Sequence, residues 1–171
     1  MLAKDFSAFH KFFFFLLGFL LIVLPIMPID LTPKSTAYPN ILLCYIFSFV
    51  IINPKNAPFF LIVLLNLIAD FLWFRPLGLM TLLTLVITEF VRWRLKNNIY
   101  INYKLEQVYF FLLFSGIILF ELLMSGVGLI PSFNFKLIAS YYLTTVISYP
   151  IVSLLARLVF KSKRTTNKMF I

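Results

Sequence analysis

Apolar residues dominate six stretches of the chain, and short segments rich in proline, asparagine and basic residues separate them. The stretches cover residues 12–27, 41–52, 57–74, 77–91, 108–130 and 137–160. A helix that crosses about 30 Å of hydrocarbon needs roughly 17–25 apolar residues. The second stretch is short on this measure and the fourth is marginal. The pattern predicts an all-α integral membrane protein built as a bundle of six transmembrane helices.

The composition supports a membrane environment. Hydrophobic residues make up 62% of the 171 residues and charged residues only 12%, whereas soluble domains carry about 25% charged residues. No long polar stretch could form a second domain, so we expect one membrane domain with a cytoplasmic linker at 92–107 and a basic tail at 161–171. No small-residue cleavage motif directly follows the first stretch, which we interpret as an uncleaved helix.

The basic residues predict the orientation of the helices. With six spans and a cytoplasmic N-terminus, Lys34, Arg75 and Lys136 lie outside and the other twelve lie in the cytoplasm. Those twelve are Lys4, Lys11, Lys55, Arg92, Arg94, Lys96, Lys104, Arg157, Lys161, Lys163, Arg164 and Lys168. Cytoplasmic loops are enriched in lysine and arginine, and a five-span arrangement would destroy this asymmetry. We therefore expect a multi-pass protein of the bacterial inner (cytoplasmic) membrane with both termini in the cytoplasm.

The net charge of +9 could also indicate nucleic acid binding. The basic residues, however, occur in short clusters between apolar stretches, where cytoplasmic retention explains them. We expect no nucleic acid partner. The linker 92–107 mixes arginine and lysine with tryptophan and tyrosine, which favours contact with anionic lipid headgroups; a docked protein is the alternative.

Two acids lie within the predicted spans at comparable depth. Asp70 and Glu121 each fall fourteen residues into a helix that runs outward. A charge at the centre of a membrane helix costs at least ~2.5–3.5 kcal/mol, so each acid needs a partner or a purpose. Asn66 lies one turn before Asp70 on the same helix face. Two interpretations of Asp70 are open. In the structural one, its carboxylate pairs with Arg75 or with a neighbouring helix. In the functional one, Asp70 lines an outward polar pocket or binds a partner.

Four further positions have specific structural predictions. Glu89 is predicted to extend to the surface or to pair with Arg92, and Arg157 is predicted to extend to the cytoplasmic surface. Pro150 interrupts the hydrogen bonding of the last helix, so a packed neighbour is needed at that point. The single cysteine, Cys44, lies within an apolar stretch and is predicted to be a small buried residue.

Catalytic motifs are absent from the sequence. The lone His10 cannot build a Ser/His/Asp or Cys/His set, and a metal site with one histidine and one cysteine is not expected. Paired carboxyls can form an aspartyl protease, and residues 66–70 resemble one half of the lipoprotein signal peptidase signature. The second aspartate motif of that family is missing. We therefore expect a protein that is not an enzyme and holds no cofactor.

Three short motifs, in order along the chain, resemble the rod shape-determining protein MreD family. The first is Asn66-Leu67-Ile68-Ala69-Asp70-Phe71-Leu72 followed by Pro76-Leu77-Gly78-Leu79, the second is Tyr38-Pro39-Asn40, and the third is Tyr149-Pro150 ahead of Arg157. The resemblance extends over nearly the whole chain and includes the number of spans and the basic tail. Asn66 departs from the pattern, since the family usually has glycine there.

The resemblance implies a non-catalytic scaffold of the bacterial cell-elongation machinery, which builds peptidoglycan during rod-shaped growth. It implies binding to the bitopic membrane protein MreC and a link to the MreB filament and the RodA/penicillin-binding-protein synthase; self-association is left open. The implied fold is similar to the S-components of energy-coupling-factor vitamin transporters, so the alternative is a small-molecule-binding transporter subunit. The candidate partner-binding or structural positions are Pro39, Asn40, Asn66, Asp70, Gly78, Glu121 and Pro150.

Overall fold

Six α-helices and one short 3-10 turn form the bundle seen in the computed structural model. It describes residues 8–26, 38–54, 57–96, 103–126 and 135–160, and within these ranges no strand occurs. The helices are α1 (Ala8–Val23), α2 (Ile41–Ile52), α3 (Phe59–Leu72), α4 (Leu79–Lys96), α5 (Tyr103–Gly126) and α6 (Phe135–Val159), and the 3-10 turn Leu24–Ile26 follows α1. The prediction of six helices is confirmed for the described residues.

Helix α2 lies at the centre of the bundle. Its 12 residues extend about 18 Å, and every residue from 42 to 50 is buried. Its neighbours are α1, α4 and α6, and its most extensive packing is against α6. A helix buried on all sides needs no polar face, which explains why this stretch is uniformly apolar as well as short. Cys44 lies within it and is buried, as predicted.

Consecutive helices alternate in direction. The Trp73 indole N–H at the end of α3 donates to the Ile22 carbonyl near the end of α1, at 3.2 Å, so α1 and α3 run in the same direction. Phe49 near the end of α2 packs on Phe160 after α6, with ring centroids 4.8 Å apart, so α2 and α6 also share a direction. We call the side of the bundle where α4 and α6 end and α5 begins the basic end.

Two of the described helices, α5 and α6, are long and apolar enough to cross a membrane by length and composition. Large apolar side chains also cover much of the outer surface of the bundle. Leu112 on α5, for example, is 64% exposed, and similar side chains face outward on α1, α3, α4 and α6. Such a surface suits a lipid environment better than water.

Helical structure extends from both sides into the predicted linker at 92–107. Helix α4 continues to Lys96 and α5 begins at Tyr103, so both sides of that segment are helical. The reason is that α4 and α5 each extend past the apolar stretch by one or more polar turns. Residues 97–102, the basic tail 161–171 and the predicted end of the fifth stretch at 127–130 lie outside the described part of the chain.

Close approach of α1 to α3 depends on Gly18. A Cβ atom built on Gly18 would lie 2.6 Å from Cδ1 of Leu65 on α3. Small residues let membrane helices approach closely and gain dispersion contacts. The absence of a side chain at position 18 therefore sets the distance between these two helices.

Candidate functional site

Among the described residues, three clusters of buried polar side chains lie at contacts between helices. All three contain residues named from the sequence, and the third also contains a buried acid, Glu106, that was not predicted. We name them the Asp70, Asn40 and Glu106 clusters after their central residues.

The Asp70 cluster joins the end of α3 to the start of α4. The buried Asp70 carboxylate accepts hydrogen bonds from the backbone N–H of Gly78 at 3.1 Å and from the Thr81 hydroxyl at 3.0 Å. The Thr81 N–H lies 3.4 Å from the same oxygen. Gly78 has a φ of +86°, a conformation that glycine adopts without steric cost. Asp70 thus places a negative charge at the N-terminus of α4, where the helix dipole stabilises it.

Asn66 extends this contact by one turn. Its amide donates to the Ile62 carbonyl at 2.8 Å, and its Oδ1 lies 3.4 Å from the Thr84 hydroxyl of α4. The predicted common face of Asn66 and Asp70 therefore lies against two threonines of α4.

Arg75 does not provide the partner of the Asp70 carboxylate. Its backbone N–H donates to the Asp70 carbonyl at 3.0 Å, while its guanidinium lies 4.8 Å from the centroid of the Trp73 ring. Of the two structural interpretations of Asp70, the neighbouring helix is therefore the one that the structure supports.

The Asn40 cluster joins the start of α2 to α6. The Asn40 side chain accepts from the Leu43 N–H at 3.1 Å and so caps α2. Its side-chain amide donates to the Tyr141 hydroxyl at 3.0 Å, and its backbone N–H donates to the Thr145 hydroxyl at 3.0 Å. Pro39, directly before it, accepts from the Ile41 N–H at 2.9 Å. A helix that begins inside the bundle needs such partners, because water cannot satisfy its first N–H groups.

Glu121 is linked to the Asn40 cluster and not to the Asp70 cluster. The Arg75 guanidinium lies 6.0 Å from the ring centroid of Tyr141 in the Asn40 cluster, and Glu121 is close enough to Arg75 for their opposite charges to interact. Glu121 and Asp70 therefore have different partners. The outward polar pocket that both acids were expected to line stays a prediction; a crevice between α2, α4 and α5 has an apolar lining and includes neither acid.

The Glu106 cluster joins α5 to α6 near the basic end. Glu106 is completely buried and accepts hydrogen bonds from the Tyr149 hydroxyl at 2.5 Å and the Ser153 hydroxyl at 2.6 Å. Arg157 forms an ion pair with its other carboxylate oxygen. The prediction that Arg157 extends to the surface needs correction: its side chain is partly exposed, but its guanidinium binds Glu106 and lies 5.3 Å from the Tyr103 ring centroid.

A signal for the Glu106 cluster was present in the sequence. Tyr149, Ser153 and Arg157 recur every four residues and therefore share one face of α6. Three hydrogen-bond donors on one face of an apolar helix require an acceptor on a neighbouring helix. Glu106 was overlooked because it falls in the segment 92–107, which was predicted to be a cytoplasmic linker.

Pro150 lies within α6, which continues to Val159 without interruption. The Pro150 carbonyl is 3.5 Å from the hydroxyl of Tyr103, at the start of α5. The carbonyl that Pro150 leaves without its helical donor is that of Val146, one turn earlier, so a neighbour that satisfies it stays a prediction. Glu89 pairs with Arg92 at 2.9 Å, as predicted.

The chemistry of the three clusters is that of helix contacts. In each, the central residue is hydrogen-bonded to a second helix: Asp70 and Glu106 accept from it, and Asn40 donates to it. Among the described residues, no group of three or more histidine, cysteine, aspartate or glutamate side chains could hold a metal. Comparison with known proteins gave no match for this chain, whether with family models, curated proteins or solved structures.

Proposed function

We propose that the protein is a six-span membrane scaffold of the MreD kind, which supports the bacterial cell-elongation complex without catalysis of its own. The proposal places it in the inner membrane with both termini in the cytoplasm. The observation that carries it is the contact between the Asp70 carboxylate and the Gly78 N–H. Both residues belong to the longest motif on which the resemblance rests.

This contact gives the motif a physical meaning. Asp70 and Gly78 are eight residues apart, and the turn between α3 and α4 brings them within hydrogen-bond distance. The other two motifs also lie at helix contacts, since Asn40 binds α6 and Tyr149 binds Glu106 of α5. Residues that build the bundle itself suit a scaffold, whose function is to present a defined surface to partners.

The outer surface offers apolar helix faces for such partners. Leu112 and Leu119 on α5 and Leu158 on α6 are all exposed, and a single transmembrane helix of an MreC-like protein could pack on faces of this type. An MreB filament and the RodA/penicillin-binding-protein synthase would complete the assembly. The basic residues on the cytoplasmic side would hold the scaffold in its orientation.

The decisive experiment is reconstitution of the purified full chain with the bitopic, periplasmic coiled-coil protein of the same bacterium. We expect a complex that survives size-exclusion chromatography in detergent, and we expect loss of rod shape when the protein is depleted. Native mass spectrometry of the same sample tests the alternative. A retained ligand of vitamin size, without complex formation, would favour a transporter subunit and contradict the scaffold.

Orientation is tested separately by reporter fusions. A fluorescent protein fused after residue 171 is expected to fold and fluoresce, because it stays in the cytoplasm. A periplasmic reporter inserted between α5 and α6 is expected to be active. The reverse pattern would contradict the proposed six-span topology.

A further inference from the structure

The hairpin formed by α3 and α4 is shorter than a bilayer is thick. The two helices are joined at both ends, because Arg92 near the end of α4 donates to the Ala57 carbonyl before α3 at 3.0 Å and Asp70 binds Gly78 at the turn. The 14 residues of α3 extend about 21 Å, and the segment of α4 up to Arg92 has a similar length. The hydrocarbon core of a bilayer is about 30 Å thick.

Charged residues mark both ends of this hairpin. Arg75 lies in the turn, and its guanidinium is 4.8 Å from the ring centroid of Trp73 and 6.0 Å from that of Tyr141. At the other end, Glu89 pairs with Arg92. Long basic side chains relieve a short span when they extend toward water, but both guanidinium groups are bound within the protein. Their side chains therefore do little to lengthen the hairpin.

The outward faces of α3 and α4 are apolar between these charged ends. Phe60 and Phe71 are exposed on α3, and Leu82 and Val86 are exposed on α4. We call this surface the α3–α4 flank. Exposed side chains of this kind favour hydrocarbon over water. The flank therefore presents lipid with an apolar band about 21 Å high.

Helix α6 presents a longer apolar stretch. Its residues 137–156 include no charged side chain, and they extend about 30 Å, which equals the thickness of the hydrocarbon core. Helix α2 lies between the two surfaces, since it packs on both α4 and α6. One molecule thus has two apolar surfaces whose heights differ by about 9 Å.

The simplest explanation of a short helix is that it is enclosed by others, as α2 is. That explanation does not apply to α3 and α4, because their outward faces are exposed. A short apolar span in contact with lipid is accommodated by a thinner bilayer, by flanking side chains that extend to the surface, or by oligomerisation. The bound state of Arg75 and Arg92 disfavours the second of these.

We propose that the α3–α4 flank thins the adjacent bilayer by about 9 Å relative to the bilayer beside α6, and that it prefers phospholipids with short acyl chains. The inference rests on the proposed placement in a membrane, but it is independent of the scaffold function and of any protein partner. The protein would then carry a thin patch of bilayer along one side.

The experiment compares lipid preference at two matched positions of the full chain. Val86 near the middle of α4 and Ile147 at the middle of α6 are 60% and 66% exposed. Each is replaced by tryptophan in a chain whose own Trp73 and Trp93 are changed to phenylalanine. Both variants are reconstituted in brominated dioleoylphosphatidylcholine mixed with an unbrominated lipid, either short-chain dimyristoleoylphosphatidylcholine or long-chain dierucoylphosphatidylcholine. Because bromine quenches tryptophan fluorescence, the recovered fluorescence measures which lipid lies beside each helix.

The two variants are expected to differ in their preference for chain length. In Val86→Trp, the short-chain lipid should displace the brominated lipid about twofold more effectively than the long-chain lipid does. In Ile147→Trp, whose helix matches the bilayer, no preference for the short chain is expected. The same preference in both variants would overturn the proposal.

Two other results separate this inference from the proposed function. Strong quenching in Ile147→Trp with little quenching in Val86→Trp would overturn the inference, because a second copy of the chain would then cover α4 in place of lipid. Absence of quenching in both variants would contradict the membrane placement as well. A failed complex with the coiled-coil partner would contradict only the scaffold function and leave the α3–α4 flank as described.

Discussion

The carboxylate of Glu106 lies 2.5 Å from the hydroxyl of Tyr149, and this contact joins α5 to α6 across 43 residues of sequence. The Tyr149 ring also stacks on Phe110 of α5, with centroids 3.9 Å apart. Two apolar helices can slide along each other at little cost, whereas a buried acid with fixed donors permits only one register. Buried polar groups specify register in this way in coiled coils.

Replacement of Glu106 by alanine is therefore expected to be strongly destabilising. It leaves the Tyr149 and Ser153 hydroxyls without their acceptor and Arg157 without its counter-charge. Breaking a buried pair typically costs about 3–5 kcal/mol, and the partial exposure of Arg157 places our expectation near the lower value. Thermal unfolding in detergent, followed by circular dichroism, measures the loss.

The matched control is Glu89→Ala. Glu89 is 52% exposed and pairs only with Arg92 of its own helix, so its removal is expected to cost less than about 1 kcal/mol. Similar losses for the two variants would show that burial of Glu106 does not hold α5 and α6 together.

The contacts of Asp70 predict a different loss of unfolding free energy for each of two substitutions. Asp70→Ala removes the acceptor of Gly78 and Thr81 at the start of α4, and we expect a loss of about 1–2 kcal/mol in unfolding free energy. Asp70→Asn keeps an oxygen acceptor and loses only the charge near the helix N-terminus, which contributes about 0.3–1 kcal/mol. The same melting experiment should rank the variants in this order. A defect in partner binding without a change in stability would instead assign Asp70 to an interface.

Asn40 is expected to be more important for stability than the similarly buried Asn53. Asn40→Ala removes the cap of α2 and the bond to Tyr141, so the expected cost is about 1–2 kcal/mol. Asn53 follows the end of α2, and its side-chain amide nitrogen has no partner in the described part of the chain. Asn53→Ala is expected to change the unfolding free energy by less than about 0.5 kcal/mol. The midpoints of thermal unfolding of the two variants, measured under one set of conditions, decide the comparison.

Gly18 and Gly116 offer a test of helix packing. Gly18→Leu is expected to push α1 away from Leu65 and lower the melting temperature, since overpacking costs about 1–3 kcal/mol. Gly116 on α5 has open space around it, and there leucine is expected to be neutral or to stabilise the helix by up to about 1 kcal/mol. If Gly18→Leu were as stable as Gly116→Leu, close packing of α1 on α3 would be contradicted.

The helices were predictable because hydropathy is a property of single residues in sequence order. The bounds of α2 agree with the predicted 41–52 stretch, although its shortness had raised doubt. The common face of Asn66 and Asp70 was also predictable, since helical periodicity alone places them together. The crossing of a membrane by all six helices stays a prediction.

The partners of the polar residues were harder to predict, because they depend on the register between helices. The Asp70 carboxylate reaches Gly78 and Thr81 only because the turn after α3 reverses the chain, and Gly78 in that turn has a positive φ. Arg75 was the plausible partner by proximity in sequence, but its guanidinium lies on Trp73 instead. Glu106 had partners more than forty residues away, and its place in a basic, polar segment concealed its burial.

The central position of α2 has a consequence for how the protein is made. The helix is synthesised second, yet the side chains that bind Asn40 at its start belong to α6, more than 100 residues further along the chain. At about 18 Å it is too short to cross the hydrocarbon unaided. The contacts of Asn40 with Tyr141 and Thr145 can therefore form only after α6 has been synthesised. A chain truncated before α6 is expected to leave the start of α2 without these partners, so the core is completed by a late helix around an early one.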